Sequence, residues 1–215
     1  NNTSMDVFTM CDNCLKEYND PASRRHHTQP NACHICGPKI ILKEKNGEII
    51  SENISTVVSI LIQRIKKGNI CAIKSVGGYH LCCDAKDQIA VKVLRERKNR
   101  PFKPFAMMMS SINEVKKYYE LSDKEEALLC SKERPIVLLK SKVKSDTLVA
   151  PGLSYHGIML PYTPFHHLLF ENQNNLQLIM TSGNISEEPI VYQDDRSLEE
   201  LDKIDIGIMP LPDDK

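Results

Sequence analysis

Two Cys-x-x-Cys pairs, Cys11-x-x-Cys14 and Cys33-x-x-Cys36, bracket eighteen residues early in the chain. Four thiolates in two tight turns can close a tetrahedron around one ion, the donor set and spacing of a structural zinc. A thioredoxin-like redox pair would open a helix after a strand, and the sequence predicts that neither pair does so. The intervening stretch has almost no apolar periodicity, so it needs a stabiliser other than a hydrophobic face, and a zinc supplies one. Cys71, Cys82, Cys83 and Cys130 sit in apolar surroundings and are read as packing residues, with no nucleophile among them.

Three further stretches could meet a ligand. "RERKNRPFKPF" gathers Arg95, Arg97, Lys98, Arg100 and Lys103, with Pro101 and Pro104 stiffening the chain. It is either an ordinary basic helix end or a loop that holds Lys98, Arg100 and Lys103 around an anion such as a triphosphate. "TSGN", Thr181 to Asn184, offers hydroxyl and amide groups for phosphate or ribose contacts, or is a plain polar turn. "SVGG" is too short for a P-loop, and no Walker or dinucleotide fingerprint occurs. Arg24, Arg25, His26 and His27 form a local basic cluster, read as a solvated face paired with Glu17 and Asp20. Of His166 and His167, packing on a helix is the reading, with one able to face a site.

The elements that must carry these residues alternate. Asn46-Gly47 between two β-prone runs predicts a hairpin that closes the small cysteine unit. Val57, Val58, Leu61, Ile62 and Ile65 recur at helical spacing between a capping Ser55 and a terminating Gly68. "NICAIK" is a strand buried on both faces, ending in a polar loop "SVGGYH". Helices follow over about 87–98 and 112–119, the second after a strand near 105–109, and Ser122-x-x-Glu125 opens another helix as a capping box. "PIVLLK" and "GIML" are strands, "PFHHLLFE" is a helix with Pro164 first, "LQLIM" is a buried strand, and a last helix runs through Leu198 and Leu201. The expectation is an α/β protein: a largely parallel or mixed twisted sheet with packed helices over residues 51–215, preceded by a four-cysteine zinc domain with its hairpin over 1–50. Ligands in such sheets sit beyond the strands' carboxyl ends.

Lys plus Arg and Asp plus Glu each number 28 in 215 residues, so no global field draws the chain to nucleic acid or anionic lipid. No apolar run approaches the roughly 20 residues of a membrane span. A soluble, cytoplasmic protein is expected. The chain opens on Asn1, not an initiating methionine, and the start is taken as a processing or cloning boundary.

In combination these segments are specific. "CDNCLKEYNDPASRRHHTQPNACHICGP", "KSVGGYHLCCDA", "LRERKNRPFKPFAMM", "ERPIVLL", "APGLSYHGIMLPYTPFHHLL" and "MTSGNISEEPI" resemble, in order and spacing, the second zinc-finger motif and YrdC-like domain of the HypF hydrogenase-maturation carbamoyltransferases. The resemblance covers about residues 11–192. It implies activation of carbamate, derived from carbamoyl phosphate, by ATP with Mg²⁺ to carbamoyl adenylate. The carbamoyl group is then passed to the partner HypE, where it becomes the cyanide ligand of the nickel-iron centre. The acylphosphatase and transferase domains of that family lie outside this stretch, so the adenylation step is what the segment could perform.

By the same resemblance Lys98 and Arg100 match the K-x-R of the wider YrdC group and Ser182 and Asn184 its S-x-N, all at the nucleotide. Lys74, His80 and Lys103 match HypF-type positions assigned to carbamate or phosphates. Cys11, Cys14, Cys33 and Cys36 would hold the zinc. The stretch after Leu201, "IDIGIMPLPDDK", departs from the family's usual strand and basic loop. Two other readings stand beside this one: a threonylcarbamoyl-adenylate synthase of tRNA modification, and a non-catalytic zinc-stabilised module binding RNA or protein.

Overall fold

The computed structural model describes residues 9–28, 31–37, 39–142, 147–173, 175–184, 189–193, 197, 199, 201 and 208–209. It opens with helix α1 (Asp12–Asn19) and the hairpin β1 (Leu42–Lys43) and β2 (Ile49–Ser51). Gly47 takes φ 86° in the turn, where a side chain would be strained. Helix α2 (Ile54–Lys66) follows, with Val57, Leu61, Ile62 and Ile65 on its buried face. Its cap is Asn53, not Ser55: the Asn53 side chain accepts the Thr56 N–H, and the helix begins two residues earlier than that cap implied.

The largest departure from the sequence reading comes next. Strand β3 (Cys71–Ser75) does not run into a polar loop; it turns at Val76-Gly77 into a second long strand, β4 (Gly78–Asp84). The stretch "GYHLCCD" carries His and Asp among apolar residues and opens on the second of two adjacent glycines, which disguised it as loop. In the sheet, Tyr79, Leu81, Cys82 and Cys83 are all buried. Helix α3 (Gln88–Arg97) is capped by Asp87, whose carboxylate accepts the Ile89 and Ala90 N–H groups.

Strand β5 (Ala106–Met109), helix α4 (Ile112–Tyr118) and helix α5 (Asp123–Cys130) fall where expected, and Ser122 and Glu125 form both halves of the capping box. Strands β6 (Val137–Lys140) and β7 (Tyr155–Met159) precede helix α6 (Pro164–Phe170), with Pro164 in its first turn and Thr163 as its cap. Strand β8 (Gln177–Ser182) runs through Thr181 and Ser182, so half of "TSGN" is strand, not turn. The final helix through Leu198 and Leu201 falls mostly outside the described residues. Ile208–Met209 form a short strand, β9.

The nine strands among the described residues join one sheet in the order β2-β1-β9-β3-β4-β8-β5-β7-β6. Only β3 with β9 and β5 with β7 are parallel, so the sheet is mixed. The hairpin that the sequence placed with the cysteines thus also extends the main sheet, through Lys43 opposite Ile208. Leu42 is fully buried in the core, and an Arg64–Glu44 ion pair ties α2 to the hairpin. Helices α2 and α3 both pack against β4 at the centre of the sheet. This sheet brings β4 and β8 side by side with His80 directly opposite Ser182. Among the described residues no helix is long and apolar enough to cross a membrane.

Candidate functional site

The four cysteines converge. Their sulfurs lie within 4.8 Å of one another, Cys11 3.7 Å from Cys33 and Cys33 3.8 Å from Cys36. A tetrahedral zinc with Zn–S bonds of about 2.3 Å spaces its sulfurs about 3.8 Å apart, whereas a disulfide needs about 2.05 Å. The donor set therefore fits a structural zinc, and all eight cysteines are free thiols. Contrary to the sequence reading, the first pair does open a helix, because Cys11 is the residue before α1. Among the described residues no strand precedes it, and the Cys11 sulfur lies 3.7 Å from Cys33 of the other pair.

Local structure positions the thiols. The Cys33 sulfur accepts the Ile35 N–H at 3.3 Å, and Gly37 N–H donates to the Cys33 carbonyl at 2.7 Å, which shapes the second knuckle. Asn31 is buried and its amide donates to the Cys14 carbonyl at 2.8 Å, linking the two knuckles. Backbone N–H groups lower the Cys33 thiol and bring Cys36 to about 6, while burial pushes Cys14 up to about 12. A divalent cation would hold all four as thiolates. Outside this centre Arg25 pairs with Glu17 at 2.8 Å and His27 stacks on Tyr18, so the basic cluster is used locally.

The second site joins segments more than eighty residues apart. Lys98 ends α3 and is 1% exposed; its ammonium donates to the Ser182 carbonyl at 2.6 Å and to the Asn184 carbonyl and Oδ1 at 2.5 and 3.1 Å. Ser182 Oγ donates to Asn184 Oδ1 at 2.6 Å. Burial, then the neighbouring Arg100, pulls Lys98 down to about 8. Arg100 donates to Thr181 Oγ1 at 3.3 Å and to the Pro104 and Lys103 carbonyls, with its guanidinium over the Phe105 ring. Gly183 lies against β4: its N–H donates to the Tyr79 carbonyl, and an added Cβ would sit 2.7 Å from that oxygen. Only a residue without a side chain lets the chain turn here.

A cleft of about 370 Å³ opens beside these residues, lined by His80, Arg100, Phe105, Tyr162, Thr181 and Ser182 and walled by aliphatic side chains including Ile136 and Met159. Burial lowers His80, so it is neutral at pH 7. The site-residue expectations divide by geometry. Lys98, Arg100, His80, Ser182 and Asn184 come together. Lys74 pairs with Tyr79 in the ladder while His80 pairs with Ile73, which puts Lys74 on the opposite sheet face, its ammonium 5.9 Å from the Tyr79 ring centre. The Lys103 side chain is exposed, and its carbonyl accepts from Arg95 and Arg100.

Sequence reasoning undervalued Arg95. It is buried, stacks over Phe105, and donates to the carbonyls of Arg100, Pro101, Lys103, Leu148 and Val149, so one guanidinium shapes the whole basic loop. Its position one turn before Lys98 was visible, its partners were not. Tyr162, in the cleft wall, had no local signal at all.

This geometry has close counterparts. The Sua5/YciO/YrdC family model, described as "Telomere recombination", matches residues 63–210. The chain belongs to the Sua5/YciO/YrdC family. A second model, the HypF finger, matches residues 10–42, and the two together make the chain a HypF-like segment of that family. Carbamoyltransferase HypF of Rhodobacter capsulatus is 42% identical over 199 residues, which is 93% of this chain and 26% of that protein. A crystal structure of full-length HypF in the phosphate- and nucleotide-bound form superposes with a TM-score of 0.84 at 44% identity, covering 98% of this chain and 27% of that one. HypF of T. kodakarensis also gives 0.84, at 40% identity over 98% of this chain and 27% of that one. The chain thus spans about a quarter of the length of the relatives it matches. The family match passes Leu201, and the stretch after it supplies β9 between β1 and β3.

Proposed function

We propose that this chain binds ATP and activates carbamate to carbamoyl adenylate, as one step of a HypF-type carbamoyl transfer in hydrogenase maturation. The observation that carries the reading is the Lys98 junction: its ammonium joins the K-x-R segment to the S-x-N segment beside a cleft that Arg100 and Ser182 line. Likeness to carbamoyltransferases HypF, finger included, supports this branch over others of the family. The four-cysteine unit and the α/β unit are taken as separate domains, divided near residue 50 with the hairpin as their joint.

Chemically, an oxygen of carbamate attacks the α-phosphorus of ATP. A P–O bond forms there, the bond to the bridging oxygen breaks, and pyrophosphate leaves with that electron pair. Carbamate is already an anion, so no base is needed, and the task is positioning and charge neutralisation. Arg100 and Lys98 supply fixed positive charge, and Ser182, Asn184 and Thr181 supply hydroxyl and amide groups for phosphate or ribose. Mg²⁺ accompanying ATP would share the charge on the phosphates. His80 faces carbamate; Lys103 would reach the phosphates if its exposed loop closes on the nucleotide, whereas Lys74, fixed in β3 on the other face of the sheet, would act only at a distance through its charge. Zinc on Cys11, Cys14, Cys33 and Cys36 would cross-link the finger and take no part in the reaction. Onward transfer to HypE, and the cyanide ligand, belong to the longer protein.

The test is ATP–pyrophosphate exchange by the 215-residue chain, with carbamoyl phosphate plus a separate acylphosphatase in one arm and threonine plus bicarbonate in the other. Exchange in the first arm is expected. Exchange only in the second would replace this reading with threonylcarbamoyl-adenylate synthesis.

A further inference from the structure

At the base of the cleft lies a group of neutral polar side chains that the phosphate chemistry does not use. His166, on α6, is 1% exposed, and neither ring nitrogen has a partner among the described residues. Its ring meets the edge of Tyr162, with centres 4.5 Å apart. Tyr162 lines the cleft and its hydroxyl bonds Ser75 Oγ at 3.0 Å. Ser75 shares a sheet face with His80, which lines the cleft too and has an unpartnered, buried Nδ1. An orphaned buried nitrogen costs about 1–3 kcal/mol, so three of them in one neighbourhood mark a place prepared for hydrogen-bonding atoms the protein itself does not supply.

We infer that Tyr162 and His80, with His166 packed behind them, form the carbamoyl end of the cleft, and that Tyr162 and His80 read the uncharged NH₂ of the substrate. This rests on the activation reading above and deepens it. The cleft is chemically two-ended. Arg100 and the Lys98 junction are cationic and suit phosphate and carboxylate oxygens. The far end offers a phenol and imidazoles, and an NH₂ group, with two hydrogens to donate, needs acceptors there. A neutral imidazole has one acceptor nitrogen, and a tyrosine hydroxyl engaged with Ser75 keeps a lone pair. Burial lowers His80, so it offers that nitrogen at neutral pH, and burial, with His80 and His167 nearby, holds His166 down at about 4, so the group packed behind Tyr162 is uncharged too. A cation in their place would repel the amide hydrogens. Tyr162 and His80 touch the cleft; His166, behind them, acts as a positioning residue.

The experiment uses two non-hydrolysable adenylate mimics, 5′-O-(N-carbamoylsulfamoyl)adenosine, whose acyl group ends in NH₂, and 5′-O-(N-acetylsulfamoyl)adenosine, in which CH₃ takes the place of that NH₂. Each is titrated into the wild-type chain, Tyr162→Phe, His166→Leu and His166→Asn, with ATP titrated in parallel and unfolding temperatures recorded. The wild type is expected to favour the NH₂ mimic about tenfold, the worth of one well-made hydrogen bond against an unpaired buried group. His166→Leu and Tyr162→Phe are expected to abolish that preference with ATP affinity unchanged within about twofold, and His166→Asn, which can still accept, to recover part of it. Tyr162→Phe removes one atom and guards against a folding failure at His166. A wild type without preference, or a preference surviving both Tyr162→Phe and His166→Leu, overturns the inference while ATP binding leaves the activation reading standing. Absence of ATP binding in the wild type overturns both.

Discussion

Lys98 holds a lysine charge inside the protein because three oxygens surround it, yet burial, and then the neighbouring Arg100, still pull its ionisation down to about 8. The sign of the consequence is fixed: as pH rises through 8 the folded protein loses this proton, and with it a cation from the nucleotide site. Isothermal titration should therefore show ATP affinity flat between about pH 6.5 and 7.5 and falling by roughly ten- to thirtyfold by pH 9.5, the upper figure being the most that loss of one proton from a group at about 8 allows. Lys98→Met should weaken binding at every pH and remove the inflection; Arg100→Ala should weaken binding and keep it. Folding itself responds in the opposite direction. A lysine at about 8 folded and near its ordinary value unfolded leaves the unfolded state with more protons between those values, so stability gains across that window.

At the scale of elements, the finger and the sheet draw on different sources of stability. Helix α1 buries only Cys14 and its leading residue, Cys11, makes no side-chain cap, so little but a metal can hold it. The sheet has the apolar core, from Leu42 in β1 to Leu178 and Ile179 in β8. Elemental analysis should find one zinc per chain. Cys33→Ser should lose it and expose 11–40 to limited proteolysis, while the fragment beginning near Leu42 survives, because β1 is hydrogen-bonded into the main sheet. Proteolysis that spreads equally through β3 and β4 would show that the finger is instead required for the core.

For the whole molecule, the cleft depends on a sheet in which β4, β8, β5 and β7 stand in sequence-distant order. A ligand that contacts Arg100 and the ends of β4 and β8 at once clamps the central strands against each other. Mg²⁺–ATP at a hundred times its dissociation constant should stabilise the fold by about 2.7 kcal/mol, seen as a rise of several degrees in the unfolding temperature. The same addition to Lys98→Met should give a much smaller rise. A rise of equal size in both would place the nucleotide elsewhere.

Much of this was written in local pattern. Thiolate spacing names a four-ligand site because the distance between two sulfurs in one turn is a property of a few bonds. The capping box at Ser122 and the helical period of α2 follow from contacts within four residues of one another. The likeness to HypF came from ordered motifs, and their order is sequence itself. What folding alone decided is whatever depends on partners far along the chain. Lys98 could be a helix-end cation or the clasp on Ser182 and Asn184, and residues 84 and 86 positions away chose between them. Lys74 and His80 both looked equally available, and the strand period sent them to opposite faces. Strand β4 was hidden because its hydrogen bonds go to β3 and β8, whose pairing no local window contains. Tyr162 carried no signal, and the His166-His167 pair said only that one of the two could face a site; a buried imidazole without a partner is recognised only once every neighbour is in place.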